Sequence, residues 1–425
     1  MKVAIVGGGW AGLAAAVEAV RAGHAVTLFE AARTLGGRAR ALPLVPAAGG
    51  QAAATVDNGQ HILIGAYVQT LRLMRLVGVD PERALLRMPL RLTFPDGSGL
   101  RLPDWPAPLD VLAGIAGARG WSWRDRLSLL RCAAAWQRGG FRCQPAATVA
   151  DLCTTLTPRV RSGLVDLLCV AALNTPAERS SGQVFLRVLQ DALFGPRGSS
   201  HLLLPRTDLG ALFPEAAAQW LRRHHARVRT GHRVDALQAA GTGGWRIGDE
   251  SFDQAVLACP PWQALSLAEA SGRAAPEWLA RTRALEHTAI ATVYAQSGAG
   301  LPQALLALHS GPGAPAQFVF DRGRLGGPPG LLAFVASASA GTRDALQDQV
   351  LAQGRRQLGL GRLQAVQTVQ EKRATFACTP GLLRPALRVG PALTACGDYI
   401  DGPYPATLEG AVRSGIEAAA ALTGP

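Results

Sequence analysis

The sequence predicts an α/β fold: a Rossmann-like domain built on a parallel sheet, interleaved with a discontinuous, mixed α+β substrate domain. Three observations predict it. The chain has 425 residues, more than one ordinary core accommodates, so two domains are expected. A glycine-rich strand–helix–strand unit opens it. Further buried-strand patterns recur far downstream, so the first domain is assembled from separated pieces.

The opening unit sets the chemistry. "KVAIV" (2–6) is a short β-branched run, as a buried parallel strand should be. Gly7, Gly9 and Gly12 follow in G-x-G-x-x-G spacing, with Trp10 and Ala11 inside the same loop. Residues 11–22 read as a helix that stops at Gly23, and "AVTLFE" (25–30) as a second strand ending in Glu30. The glycines let backbone approach a pyrophosphate at the helix N-terminus, and Glu30 suits a ribose hydroxyl pair. This unit alone leaves NAD and FAD open.

"LGGRAR" (35–40) comes next. A strand–helix–strand unit followed by Gly-Gly-Arg resembles the superfamily of amine oxidases, protoporphyrinogen oxidases and phytoene desaturases, which are FAD enzymes. The resemblance implies that Gly36, Gly37 and Arg38 lie along the FAD pyrophosphate, where a guanidinium matches phosphate oxygens. "LTACGDYIDGPYPATLEGAVRSGIEAAAAL" (393–422) resembles the superfamily's closing segment. A strand leads into Gly397-Asp398, and an alanine-rich helix starts near Ala406. By that match Asp398 contacts the ribityl–pyrophosphate region. Thr407 and Leu408 offer backbone N–H groups to the flavin N1–O2 edge, where a helix N-terminus stabilises negative charge. Cys396 fills a small-residue position.

Two middle pieces extend the same domain. "RVRTGHRVDAL" (227–237) reads as strand, turn and strand start, and the resemblance implies that the Val234 backbone touches the adenine. "FDQAVLACPPW" (252–262) reads as a buried strand ended by Pro260-Pro261, matching the strand that closes the superfamily's FAD domain. The FAD-binding domain is expected at 1–80, 206–262 and 376–425, and the substrate domain at 81–205 and 263–375. Residues 81–205 read as helical. Residues 263–375 read as mixed, with strand-like "TAIATVYA" (288–295) and "GLLAFVAS" (330–337).

One helix in the substrate domain has two readings. In "WRDRLSLLRCAAAWQR" (123–138), Trp123, Leu127, Leu130 and Ala134 form an apolar stripe at helical spacing, with Arg124, Arg131 and Arg138 beside it. The stripe packs on the domain core, or the helix lies in a membrane surface with arginines at headgroup level.

Composition excludes several classes. An apolar fraction of 48% with 17% charged residues fits a globular protein. The net charge of +13 is carried by arginine, since Lys2 and Lys372 are the only lysines. There is no basic tail, zinc-finger spacing or helix-turn-helix pattern, so no nucleic-acid partner is expected. Seven scattered cysteines without a Cys-x-x-Cys pair suggest a reduced, intracellular protein without a metal site. The apolar N-terminus is broken by glycines and continues into a second strand, so it reads as fold rather than signal peptide. No uninterrupted apolar run reaches transmembrane length. A cytoplasmic protein, peripheral on the inner membrane face, is expected.

"VDNGQHILIGAY" (56–67) crowds Asp57, Asn58, Gln60 and His61 ahead of an apolar run. In the superfamily an Asp-x-Gly returns beneath the flavin. Asp57 and Gly59 fit it, which makes Asp57 structural and places Gln60 and His61 nearer the isoalloxazine. The whole chain is similar to the squalene-associated FAD-dependent desaturases, assigned as hydroxysqualene dehydroxylases of bacterial hopanoid synthesis. That similarity rests on this segment and on "ALNTPAERSSGQVF" (172–185), "LLLPRTDLG" (202–210), "EKRATFACTPGLLRP" (371–385) and "GDYIDGPYPATLEGAVRSG" (397–415). One departure is Tyr399, where the subfamily usually has Trp.

The implied reaction is reductive removal of a hydroxyl from hydroxysqualene to give squalene. Loss of the hydroxyl leaves an allylic cation, which reduced flavin quenches with hydride from N5. Hydroxide leaves poorly, so an acid should protonate it. His61, Tyr404 and Asp401 are the candidates. The implied partners are a thirty-carbon isoprenoid lipid, a membrane surface, and an electron donor that the sequence does not identify. Three other readings stay open: an oxidative carotenoid-type desaturase, an amine or porphyrinogen oxidase, and a non-enzymatic flavin- or lipid-binding subunit. Amine oxidases often hold a water at flavin N5 with a lysine, and only Lys2 and Lys372 exist to do so.

Overall fold

The computed structural model describes residues 1–44, 54–241 and 243–422. Residues 45–53, Thr242 and 423–425, which the sequence pattern assigns to the FAD-binding domain, lie outside them. The opening unit forms as its pattern requires: strand Lys2–Val6, helix Trp10–Arg21, strand Ala25–Glu30. Gly23 takes φ +82°, a left-handed conformation that favours glycine, and reverses the chain after the helix. A six-stranded sheet grows from this unit. Its order is Arg227–Thr230, Ala25–Glu30, Lys2–Val6, Gln254–Leu257, Leu393–Ala395 and Arg388–Gly390. All neighbours are parallel except the last pair. Gln254–Leu257 does not close the sheet; it lies between Lys2–Val6 and Leu393–Ala395.

The first helix packs against the last, Leu408–Ala420. The approach is close because a side chain at Gly415 would come within 2.3 Å of the Ala11 carbonyl oxygen. Val3, Ile5, Leu13, Val17 and Val412 are fully buried there. Fully burying such a side chain contributes about 1.5–3 kcal/mol, so this seam is a main source of the sheet's stability.

A second, antiparallel sheet of five strands orders Leu305–Ala307, Phe318–Asp321, Leu331–Ser337, His287–Ser297 and Leu363–Phe376. It contains both strand-like runs expected in 263–375. Helix Arg343–Leu358 packs on one face, burying Val293, Val319, Phe334 and Val350. Helices outweigh strands in the 81–205 stretch, as expected, but strand Leu85–Met88 follows its first short helix, Pro81–Ala84, and strand Leu202–Pro205 ends it. Leu202–Pro205 pairs with both Leu63–Ile64 and Leu85–Met88, so one small sheet joins residues on either side of position 80.

Helix Trp123–Arg138 forms over the expected residues and opens with a capping box between Ser122 and Asp125. It packs on the core, but by a ridge other than the expected stripe, of which Leu130 alone is half-buried against the core. Asp125, Leu129 and Cys132 are the buried residues, whereas Trp123 is 80% exposed, Leu127 is 45% exposed and Ala134 is exposed. The buried ridge is chosen by polar satisfaction. Thr157 donates to Asp125 Oδ1 at 2.6 Å, so the inward carboxylate has partners, and Trp123, Leu127 and Ala134 of the stripe are left outside.

Candidate functional site

The cradle is made of backbone. Gly7 has φ +121°, and a Cβ there would lie 2.5 Å from the Ala258 carbonyl oxygen. A Cβ on Gly12 would lie 1.9 Å from the Gly7 carbonyl oxygen. The loop can therefore turn this tightly only with glycine at both places. The second glycine loop is zipped to the first: Gly36 N–H donates to Gly8 O at 2.9 Å, in a bridge that pairs Gly9 with Gly36. Gly37 comes so near Gly9 that a Cβ would meet its Cα at 3.3 Å. Trp10 is buried and donates from Nε1 to Ala39 O at 2.9 Å, which fastens the first helix to the Gly-Gly-Arg segment. Ala11 is buried at the seam with the last helix.

Glu30 holds this loop in shape. Its Oε2 accepts from Gly8 N–H and its Oε1 from Ala32 N–H, each at 2.7 Å. The residue expected to face a ribose therefore also fixes the backbone beside it. Val234 is buried beyond the strand that precedes it.

Arg38 and Asp398 form an ion pair across the two ends of the chain, and Arg38 also donates to Ala374 O at 2.6 Å. Gly397 is held through Ser414, whose hydroxyl accepts from Gly397 N–H at 2.8 Å and lies 2.9 Å from its carbonyl oxygen. Thr407 caps the last helix: its Oγ1 accepts from Gly410 N–H at 3.0 Å and donates to Tyr404 O at 2.9 Å. Leu408 is the first helical residue. Ala406, just before the cap, has φ +58°. A left-handed alanine is strained, and such strain persists where surrounding contacts over-determine the turn. Here Ala406 N–H is held by Asp398 O at 3.1 Å.

The four polar residues of 57–61 are turned to backbone and to other segments. Asp57 Oδ1 accepts from Leu209 N–H at 2.7 Å, while Tyr294 hydroxyl donates to the Asp57 carbonyl at 2.9 Å. Asp57 Oδ2 is buried without a partner. Burial raises the Asp57 carboxyl to about 6, against the opposing pull of Arg322 and the Leu209 bond. Asn58 Nδ2 donates to Arg38 O at 2.9 Å and to Glu371 Oε2 at 3.3 Å. Gln60 Oε1 accepts from Arg322 at 3.0 Å. His61 Nδ1 lies 2.8 Å from Gly59 O, which selects the tautomer with its proton on Nδ1. Burial lowers the His61 pKa, Arg38 adds to that, and the Gly59 carbonyl opposes it.

The three candidate acids are not brought together: no hydrogen bond, ion pair or ring contact links His61, Tyr404 and Asp401 among the described residues. Tyr404 packs edge-on to Tyr67 and under the Arg413 guanidinium, 4.8 Å from its ring. Burial and the Asp191 carboxylate push Tyr404 to about 12. Asp401 has a 70% exposed side chain and pairs with Arg384 at 3.1 Å.

Several residues carry no signal in the sequence. His287 is half-buried, its Nε2 has no partner, and burial with the Arg38 and Arg373 charges lowers its pKa. Glu371 completes the Asn58 anchor. Glu409 is wholly buried and accepts from Thr70 N–H and Thr70 Oγ1 at 2.9 and 2.7 Å. Glu371 and Glu409 lie inside quoted motifs, but a motif does not say which of its members is buried. Lys2 and Lys372 are both exposed. Among the described residues no group of three His, Cys, Asp or Glu is placed to hold a metal ion.

These residues fit FAD. Two glycine loops meet where added side chains would fill the space, a helix N-terminus follows, and Arg38 stands beside them. The Tyr399 hydroxyl is buried without a partner next to Asp398.

Comparison with known proteins agrees. The chain is 29% identical over 443 residues to a hydroxysqualene dehydroxylase of Rhodopseudomonas palustris, covering 98% of this chain and 97% of that one. It is 27% identical to a hydroxysqualene dehydroxylase of Sinorhizobium fredii, with the same coverages. A hydroxyneurosporene desaturase of Cereibacter sphaeroides is 40% identical, but over only 128 residues, 28% of this chain and 23% of that one. Among solved structures, an oxidoreductase from Methanosarcina mazei superposes with a TM-score of 0.72 at 16% identity, covering 99% of this chain and all of that one. Cyclohexylamine oxidase from Brevibacterium oxydans gives 0.69 at 18% identity, covering 99% and 98%. The family model described as flavin containing amine oxidoreductase matches residues 10–423. The chain therefore belongs to the flavin-containing amine oxidoreductase family, and is an FAD-dependent oxidoreductase similar along its length to hydroxysqualene dehydroxylases.

Proposed function

We propose that this enzyme removes the hydroxyl of hydroxysqualene reductively to give squalene. The observation that carries the reading is coverage. Similarity to the two named dehydroxylases runs over 98% of the chain, whereas similarity to the hydroxyneurosporene desaturase covers 28% of it. The first likeness spans nearly the whole chain, the other little more than a quarter of it. The exposure of Lys2 and Lys372 argues against a lysine-held water of the amine oxidase type.

Bound and reduced, FAD supplies the two electrons that the reaction consumes. The chain supplies the rest. The glycine loops and Arg38 would hold the pyrophosphate, Asp398 would orient the ribityl region, and the N-terminus of Leu408–Ala420 would stabilise negative charge near the flavin ring. The FAD-binding segments are 1–80, 206–262 and 376–425, and the intervening segments house the hydrocarbon. His61 is the favoured acid. Its Nδ1 proton is held by Gly59, leaving Nε2 to carry the transferable proton when the ring is charged. A lowered pKa makes the imidazolium a stronger donor, but one present only at acidic pH. Tyr404, at about 12, is a far weaker donor. Asp401 is exposed and paired with Arg384.

The test is a pair of incubations with product identification: reduced enzyme with hydroxysqualene, and oxidised enzyme with a phytoene-type polyene. Squalene from the first alone supports the proposal. A new double bond in the polyene, with no squalene from hydroxysqualene, supports the desaturase instead. The enzyme reaches a bilayer-dissolved substrate from the cytoplasmic side, and its electron donor is a separate partner.

A further inference from the structure

Five of the exposed large apolar side chains lie close together in sequence: Trp105, Leu109, Leu112, Trp123 and Leu127, each at least 45% exposed. Leu109 and Leu112 share the outer face of helix Leu109–Ala116, which packs against helix Trp123–Arg138 carrying Trp123 and Leu127. The charge of this stretch is one-sided. Between positions 105 and 142 there are six arginines, at 119, 124, 126, 131, 138 and 142, and two carboxylates, Asp110 and Asp125. Both carboxylates are 6% exposed. None of the six arginines forms an ion pair among the described residues. Four of the nine tryptophans of the chain also fall here, at 105, 121, 123 and 136. No helix among the described residues is long and apolar enough to cross a membrane.

We infer that this two-helix face is a docking surface for an anionic lipid bilayer, with the tryptophans and leucines in the headgroup–acyl boundary and the arginines at the headgroups. The occupant follows from charge and shape together. Contiguous exposed apolar area marks an interaction site. Arg126 is half-buried and donates to Ala118 O, but the other five arginines are exposed. A protein partner of ordinary mixed charge would leave those five guanidiniums short of counter-charge, whereas an anionic bilayer meets all five with phosphate. A nucleic acid would satisfy the arginines but not the leucines. Exposed tryptophan beside arginine is the composition that interfacial helices use. The inference adds a surface to the proposed function but does not depend on which isoprenoid is reduced.

The experiment is flotation of the full-length FAD-loaded protein with phosphatidylcholine vesicles, with and without phosphatidylglycerol, and no isoprenoid present. Binding is expected only with phosphatidylglycerol, and is expected to weaken with salt. The variant R124Q/R131Q/R138Q should bind about a hundredfold more weakly, from roughly a fivefold loss per arginine. W123A/L127A should lose binding even at low salt. All these side chains are exposed, so both variants should melt at the parent temperature, and that control separates lost binding from lost fold. Equal vesicle binding by both folded variants overturns the inference. So does duplex DNA binding without vesicle binding, or a concentration-dependent dimer that W123A/L127A abolishes while vesicles are ignored. Because no substrate is present, failure to make squalene elsewhere leaves this result unaffected.

Discussion

The cofactor cradle and the 105–142 face solve opposite problems. In the proposed cradle the closest approaches are backbone against backbone, Gly12 against Gly7, Gly36 against Gly8 and Gly415 against Ala11, with side chains such as Glu30 fastening them. On the outer face nearly everything is side chain, and apolar residues point away from the core. At Gly7, Gly12 and Gly415 the fit depends on the absence of a side chain, so those positions tolerate almost no change. The face is fixed by which ridge of a helix finds partners, so its residues can be exchanged without unfolding the protein.

The largest expected effect breaks the cradle. Gly12→Ala places a Cβ against the Gly7 carbonyl oxygen, so the loop must open. FAD retention, measured by absorbance after gel filtration, should weaken by roughly a hundredfold, the upper end of overpacking costs. Gly9→Ala sharpens the point. Its Cβ would have nothing nearer than Gly37 Cα at 3.9 Å, and its φ of −76° suits any residue. The apo-protein should melt like the parent, so any FAD loss comes from the cofactor's own approach. Parent-like FAD binding in both variants would remove the loop from the site.

Next is Glu30→Arg. It removes the acceptor for Gly8 and Ala32 N–H and adds positive charge near the loop. Charge-assisted hydrogen bonds contribute about 1.5–3 kcal/mol each, so FAD retention should fall by at least about tenfold. Glu30→Gln keeps one of the two acceptor oxygens and adds no positive charge, so it should lose less. Equal losses would show that charge alone matters.

Asp57→Asn is expected to act on stability rather than on FAD retention, visible as a pH dependence. The folded-state pKa is raised from the ordinary 3.8 to about 6. The folded protein therefore holds this proton more tightly than the unfolded chain. That stability is complete below about pH 4 and is lost as pH rises through about 6, a swing on the order of 3 kcal/mol. Melting temperatures of the parent should fall across that window, and those of Asp57→Asn should fall less. An identical slope would mean that Asp57 is not the group responsible.

The smallest structural effect and the most informative kinetic one is His61→Ala. FAD should stay bound with an unchanged spectrum. If the imidazolium donates the proton, parent kcat/KM falls as pH rises past an inflection below 6.5, and the variant is slower by roughly a hundredfold or more. A substrate with a better leaving group should recover part of that loss. Parent-rate turnover by His61→Ala would move the search to His287, whose unpartnered Nε2 also lies near Arg38.

How much of this is readable in the sequence follows the same division. Glycine spacing states where backbones must touch, so the strand–helix–strand unit, the Gly-Gly-Arg loop and the last helix can be placed from the sequence alone. Helix 123–138 is legible with its ends correct, but its face is not. The stripe Trp123–Leu127–Leu130–Ala134 is the more apolar ridge, yet Asp125, Leu129 and Cys132 are buried. Periodicity weighs hydrophobicity and cannot see that Thr157, 32 residues away, supplies the bond that lets Asp125 turn inward. The polar cluster at 57–61 has the same limit. Its composition suggests a bed for the cofactor, but Leu209, Arg322, Glu371 and Tyr294 are brought to it only by folding.

The most direct test of the account is a single turnover without oxygen. The FAD-loaded protein is photoreduced, mixed anaerobically with one equivalent of hydroxysqualene, and followed by flavin absorbance and product extraction. The account predicts that the oxidised flavin spectrum returns as squalene appears in equal amount. A flavin that stays reduced in the presence of hydroxysqualene, or reoxidises without squalene, would contradict it.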